Sequence, residues 1–163
     1  SGNPGARDVR RGELLITRTF DASRGTVWKA WTDPGLVQRW WGPKGFSSPF
    51  CTIDLRVGGR YLYCMRSPEG KDYWSTGIYR EIIVPERVVC TDSFSDENGK
   101  VVPASYYGMG EGWPLELLLT VTFEEQGGTT IVTLRHAGFP SDEARDMAGD
   151  GWNESFDKLA GIP

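Results

Sequence analysis

Hydrophobic and polar positions change their period several times along the chain, and each change predicts an element. Leu14 to Phe20 (LLITRTF) is β-branched and aromatic and ends on Asp21, which predicts a first strand. Ser23 then caps a short helix whose Val27, Ala30 and Trp31 fall at i, i+3 and i+4. Asp33 and Pro34 start a second short helix through Leu36, Val37 and Trp40, with Asp as cap and Pro at the first helical position. The period then falls to two. Phe50 to Val57, Arg60 to Arg66, Tyr73 to Val84 and Arg87 to Phe94 read as an antiparallel meander, broken at Gly58-Gly59, at Ser67 to Gly70 and at Pro85-Glu86. Leu115 to Glu124 and Thr129 to Ala137 alternate again and form a hairpin over Glu125 to Gly128.

The last pattern is helical. Ser141 caps it, Asp142 and Glu143 fill the first turn where the dipole favours negative charge, and Ala144, Met147, Ala148, Gly151, Trp152, Ser155, Phe156, Leu159 and Ala160 step by three and four. A helix reaching Gly161 is about 30 Å long and needs one large apolar surface to lie on. The concave face of the sheet supplies it. The predicted fold is therefore α+β, a helix-grip arrangement in which a curved seven-stranded antiparallel sheet wraps a long C-terminal helix, with two short helices after the first strand. Residues 13–163 form one domain in this reading, and residues 1–12, rich in Gly and Arg, form a flexible tail.

Phe94 to Pro114 joins two strands through a segment longer than ~15 residues, a length associated with functional loops. Its Tyr106, Tyr107, Met109 and Trp113 predict a flap over a pocket mouth. Alternation places Tyr61, Tyr63 and Met65 on one face of their strand and Tyr73, Ser75, Gly77, Tyr79 and Glu81 on one face of the next, with Trp74, Ile78 and Ile82 opposite. Either set can point inward. Gly77 in mid-strand predicts a bend in the sheet or a space above it.

Composition sharpens this picture. Seven Trp, seven Phe and six Tyr are more than a core of this size needs, which predicts that some line a cavity. The candidate ligand-binding residues are Trp40, Trp41, Phe46, Tyr61, Tyr63, Tyr79, Glu81, Tyr106, Tyr107, Trp113, Trp152 and Phe156. The expected partner is a small hydrophobic or aromatic molecule, oriented by tyrosine hydroxyls, Glu81 and Arg60.

Net charge is −4 and no basic stripe is present, which excludes a nucleic-acid partner. Cys51, Cys64 and Cys90 are odd in number and widely spaced, so neither a disulfide framework nor a zinc site is expected, and reduced thiols point to the cytoplasm. No apolar run reaches the ~18 residues of a membrane span, and the N-terminus lacks the pattern of a signal peptide. His136 is the only histidine, and ends the last strand on the face of Val132 and Leu134, where a bond to backbone is the expected role. Asp54 and Arg56 read as a surface ion pair, with a buried acid and base as the alternative. Gly58-Gly59 is a hairpin signal without the spacing of a phosphate loop. No metal, cofactor or catalytic residue is assigned, and a homodimer is left open.

The stretches FDASRGTVWKAWTDPGLVQRWWGP, IDLRVGGRYLY, GIYREIIVPERVV, LTVTFEEQGGTTIVTLRHAGF and GWNESFDKLA, in this order, carry a resemblance. Together they resemble single-domain proteins similar to the C-terminal domain of the activator of the heat-shock-protein-ninety ATPase, in the START-like or Bet v 1-like superfamily, over about Glu13 to Ala160. The resemblance implies the helix-grip fold and a cavity between sheet and C-terminal helix. Relatives include ligand carriers, polyketide cyclases, hydrolase-like proteins and enediyne self-resistance proteins, so it implies no single reaction. Binding of a small apolar ligand is the leading expectation. A cyclase or hydrolase using a pocket Tyr, Glu81, Asp54 or His136 is the second, and a chaperone-interacting stress-response module the third. The co-chaperone itself resembles this chain only in its second half, which predicts a role here other than direct co-chaperone action.

Overall fold

The computed structural model describes residues 12–162, so the predicted tail lies, but for its last residue, outside the described residues. The elements in chain order are β1 (Glu13–Phe20), α1 (Arg24–Thr32), α2 (Pro34–Trp40), β2 (Ser47–Ile53), β3 (Arg60–Arg66), β4 (Asp72–Ile83), β5 (Arg87–Ser95), a single 3-10 turn (Ala104–Tyr107), β6 (Leu117–Gln126), β7 (Thr129–Ala137) and α3 (Asp142–Ala160). All strand pairings are antiparallel, and the sheet order is β1-β7-β6-β5-β4-β3-β2. Six strands form a continuous meander, and β1 closes it by pairing with β7. The curled sheet holds α3 in its concavity, as the helix-grip expectation requires.

The helix starts follow their capping chemistry. Ser23 Oγ accepts from Thr26 N at 3.3 Å, Asp33 Oδ1 from Gly35 N at 2.9 Å, and Ser141 Oγ from Ala144 N at 3.1 Å. The β6–β7 hairpin turns on Gly127 and Gly128, with φ of 55° and 89°, the left-handed pair that a tight two-residue turn demands.

The inward face of the sheet is the one that carries Tyr61, Tyr63 and Tyr79, all buried. On β4 the alternation is interrupted. The register between β4 and β5 slips between Tyr79 and Glu81, a bulge that adds a residue to β4 and inverts every position after it. Ile82 therefore turns inward to the core, while Glu81 turns outward, half exposed and paired with Arg87 at 3.0 Å. Glu81 accordingly has no place in the concavity where alternation had put it. Gly77 answers the question of bend or space. A Cβ at that position would lie 1.9 Å from Thr91 O and 2.5 Å from Tyr61 Cε2, so the glycine lets the Tyr61 ring lie flat against β4.

α3 packs on β1 and α2, at one side of the concave face. Its C-terminal half fills that side. Phe156 and Leu159 are fully buried, and Phe156 meets Phe20 edge to face at a ring separation of 5.8 Å. Trp31 stacks on Trp152 at 5.9 Å and contacts Trp40 at 4.8 Å, which ties α1, α2 and α3 into one aromatic core. Its N-terminal half is different. There Ala144, Ala148 and Gly151, continued at helical spacing by Ser155, present small side chains toward β3, β4 and β5 and leave the space between unfilled.

Candidate functional site

That unfilled space is a cavity of about 750 Å³. Its floor is the sheet, through Met65 of β3, Tyr73 and Ser75 of β4, Asp92 and Phe94 of β5, Leu117 of β6 and His136 of β7. Its roof is the small-residue stripe of α3 together with Met147 and Trp152. Trp41, Gly42, Pro43 and Phe46, in the connection from α2 to β2, form one side, and Gly108 to Glu111 with Trp113 form the other. Of the four residues named for a flap in the loop from Phe94 to Pro114, Met109 and Trp113 line this side wall, and Tyr106 and Tyr107 do not. The loop's 3-10 turn is pinned outside the cavity by Tyr107, whose hydroxyl donates to Ser95 O and accepts from Trp74 N at 3.0 Å. Tyr106 points to solvent, 59% exposed.

Of the residues expected at a pocket, the structure brings four to the cavity wall: Trp41, Phe46, Trp113 and Trp152. Trp40 and Phe156 belong to the packed core instead, and Trp40 Nε1 is satisfied by Ala30 O at 2.9 Å. Tyr61, Tyr63 and Tyr79 share the inward face but lie deeper, around a separate void of only about 30 Å³. Burial pushes all three phenols above their ordinary range. Arg60, expected to orient a ligand, is exposed and reaches toward Gly99 O at 3.3 Å. Asp54 and Arg56 form an exposed pair at 2.9 Å, a surface ion pair and not a buried acid and base.

Sequence reasoning missed the polar centre of the floor. Asp92 stands between Cys90 and Phe94 on the inward face of β5, and its side chain is 26% exposed. Tyr61 Oη donates to Thr91 O at 2.8 Å and lies 3.2 Å from Asp92 Oδ1. His136 Nε2 lies 2.9 Å from Asp92 Oδ2, a close contact that stands off the line of an ideal hydrogen bond. Trp152 Nε1 donates to His136 Nδ1 at 3.1 Å. His136 therefore joins the helix to the sheet through side chains and not through backbone, which corrects the expectation for it. An acidic residue alternating with Cys90 and Phe94 on a buried strand was the available signal.

The side wall has its own anchor. Lys158 Nζ, in the last turn of α3, donates to Trp41 O, Pro43 O and Phe46 O at 3.5, 3.3 and 3.3 Å. One ammonium so fixes the connection that carries four lining residues. Desolvation lowers the Lys158 pKa, consistent with its half-buried position.

A sheet curled around a C-terminal helix, with an aromatic-walled cavity between them, defines a START-like helix-grip protein. The family described as Activator of Hsp90 ATPase homolog 1-like protein matches residues 21–162, and the chain belongs to it. Among solved structures it is similar to a protein of Arthrobacter aurescens, at 28% identity, 96% of this chain, 90% of that one and a TM-score of 0.76. It is similar also to a protein of Mycobacterium smegmatis, at 26% identity, 94% and 89% coverage and a TM-score of 0.72. The AHSA1 protein of Silicibacter pomeroyi shares the fold at 23% identity, 91% and 95% coverage and a TM-score of 0.72. No protein of curated function matches the chain. Among the described residues no group of His, Cys, Asp and Glu has the arrangement of a metal site, and no helix is long and apolar enough to cross a membrane.

Proposed function

We propose that the protein binds a small, largely apolar or aromatic molecule in the cavity between the sheet and α3. The observation that carries this reading is a cavity of about 750 Å³ left open by the stripe of Ala144, Ala148, Gly151 and Ser155. Pockets for small organic ligands span roughly 300–1,000 Å³, with mostly apolar walls and few polar groups. Cys51, Cys64 and Cys90 are buried and unpaired, which supports a reducing, cytoplasmic setting.

Titration with Nile red, a neutral apolar dye, tests the reading. A Cβ on Gly151 would meet nothing nearer than Pro43 Cγ at 3.5 Å, so larger side chains there grow into the cavity. The expected result is saturable dye emission with the native chain and at least about tenfold weaker binding by Gly151→Trp, a loss of about 1.4 kcal/mol. Equal binding by a folded Gly151→Trp, or none by the native chain, overturns the proposal.

A catalytic reading finds one supporting observation, the convergence of Asp92, Tyr61 and His136. Nδ1 of His136 accepts from Trp152 Nε1, however, which leaves the ring proton on Nε2, the nitrogen that faces Asp92. His136 thus has no free nitrogen to take a proton from a bound molecule, and binding is the better supported function.

A further inference from the structure

The floor of the cavity carries a charge that nothing in its wall offsets. Trp152 Nε1 can only donate, so the His136 Nδ1 it contacts at 3.1 Å must hold a lone pair. The imidazole then keeps its proton on Nε2, facing Asp92, and is neutral. Tyr61 is neutral as well, its phenol held protonated by burial. Tyr61 Oη at 3.2 Å and His136 Nε2 at 2.9 Å therefore lie against the Asp92 carboxylate without cancelling its charge. Among the described residues, no lysine or arginine lines the cavity, whereas Glu111 and Glu143 add two further carboxylates toward the mouth. Lys71 sits over the Tyr73 ring at 5.1 Å but outside the lining, and Lys158 is committed to the three carbonyls of the side wall.

The rest of the wall suits the same kind of guest. Trp41, Phe46, Tyr73, Phe94, Trp113 and Trp152 surround the space above Asp92, and aromatic faces attract cations. An anion, by contrast, would be desolvated beside a carboxylate with no positive partner, which is strongly unfavourable.

From this juxtaposition we infer that the cavity selects organic amines, apolar or aromatic bodies bearing a protonated nitrogen that donates to Asp92. The inference rests on the binding function proposed above and names its ligand class. Trp152 acts here as a positioning residue: it fixes the tautomer of His136, which flanks the carboxylate at 2.9 Å.

The test uses three probes with one indole body and different charge, measured by isothermal titration calorimetry against the full chain: tryptamine as cation, tryptophol as neutral alcohol and indoleacetate as anion. Tryptamine should bind about tenfold to a hundredfold more tightly than tryptophol, the range of one hydrogen bond to a charged group, and indoleacetate most weakly. Asp92→Asn keeps the shape of the side chain and should abolish the preference for tryptamine over tryptophol. If tryptophol binds as well as tryptamine, or if the preference survives in Asp92→Asn, the amine assignment fails and cavity binding stands. If no probe binds and Nile red is not bound either, cavity binding itself fails. The ranking of the probes on the native chain decides the matter even where Asp92→Asn does not fold.

Discussion

Gly77→Ala is the most demanding check on how the cavity floor is built. The added methyl would sit 1.9 Å from Thr91 O, 2.5 Å from Tyr61 Cε2 and 2.7 Å from Tyr61 Cζ, all well inside van der Waals contact. Neither neighbour can easily retreat. Thr91 O belongs to β5, paired with β4, and the Tyr61 ring is held by its hydroxyl on Thr91 O and by stacking on Tyr63 at 4.5 Å. Forcing a methyl into a packed interior costs about 1–3 kcal/mol, and losing the Tyr61 hydrogen bond adds about 1. The sum, roughly 2–4 kcal/mol, corresponds to a fall in Tm of about 4–16 °C for a domain of this size. Thermal unfolding followed by circular dichroism reads it directly. Tyr61→Ala separates the two contacts, because it removes the ring and leaves the carbonyl. Gly77→Ala should remain destabilising in the Tyr61→Ala background, and should weaken tryptamine binding in the native one by moving the Tyr61 hydroxyl away from Asp92. A Gly77→Ala protein that melts within about 1 °C of the native one would show that the close approach of ring and strand is not a feature of the folded chain.

Lys158→Met keeps the aliphatic stem and removes the ammonium from Trp41 O, Pro43 O and Phe46 O. It should cost about 1–2 kcal/mol and raise proteolytic cleavage between Trp41 and Phe46, with an unchanged digestion pattern as the contrary result. Alkaline pH should destabilise the protein. Burial pushes the Cys51 thiol up to about 12 and the Cys64 thiol up to about 11, and raises Cys90, Tyr61, Tyr63 and Tyr79 as well. These groups lose protons first in the unfolded chain. Their contribution is complete below about pH 8.5 and is lost as pH climbs toward the folded values, with Lys158 offsetting a part in the opposite sense. Urea midpoints measured at intervals from about pH 8 to 11 should therefore fall steadily, and a flat series would contradict the burial of these side chains.

Local pattern was enough to specify most elements. Ser23, Asp33 and Ser141 cap helices within a turn of themselves, and alternation over β3, β6 and β7 reflects chemistry between near neighbours, so these were legible from residues alone. The short helices, the meander, the long final helix and an aromatic-walled cavity beneath it followed from the same reasoning. What sequence could not rank was distance from the cavity. Trp40 and Trp41 are adjacent, yet one is sealed in the core and the other faces the space, because α2 ends between them. Glu81 was misplaced by one extra residue, since a bulge is created by the pairing of two strands and leaves no mark in the alternation of one.

The tertiary structure alone decided the chemistry of the site. Asp92, His136 and Trp152 stand on β5, β7 and α3, and only the closing of the sheet by β1 and β7 around α3 brings their side chains within hydrogen-bond reach. The sequence by itself pointed to an aromatic-walled space beneath the C-terminal helix, because the excess of Trp, Phe and Tyr and the helical period from Ala144 to Ala160 are read from composition and near neighbours. Which charge lies at the bottom of that cavity is a property of strands distant in sequence, and it was settled by sheet order.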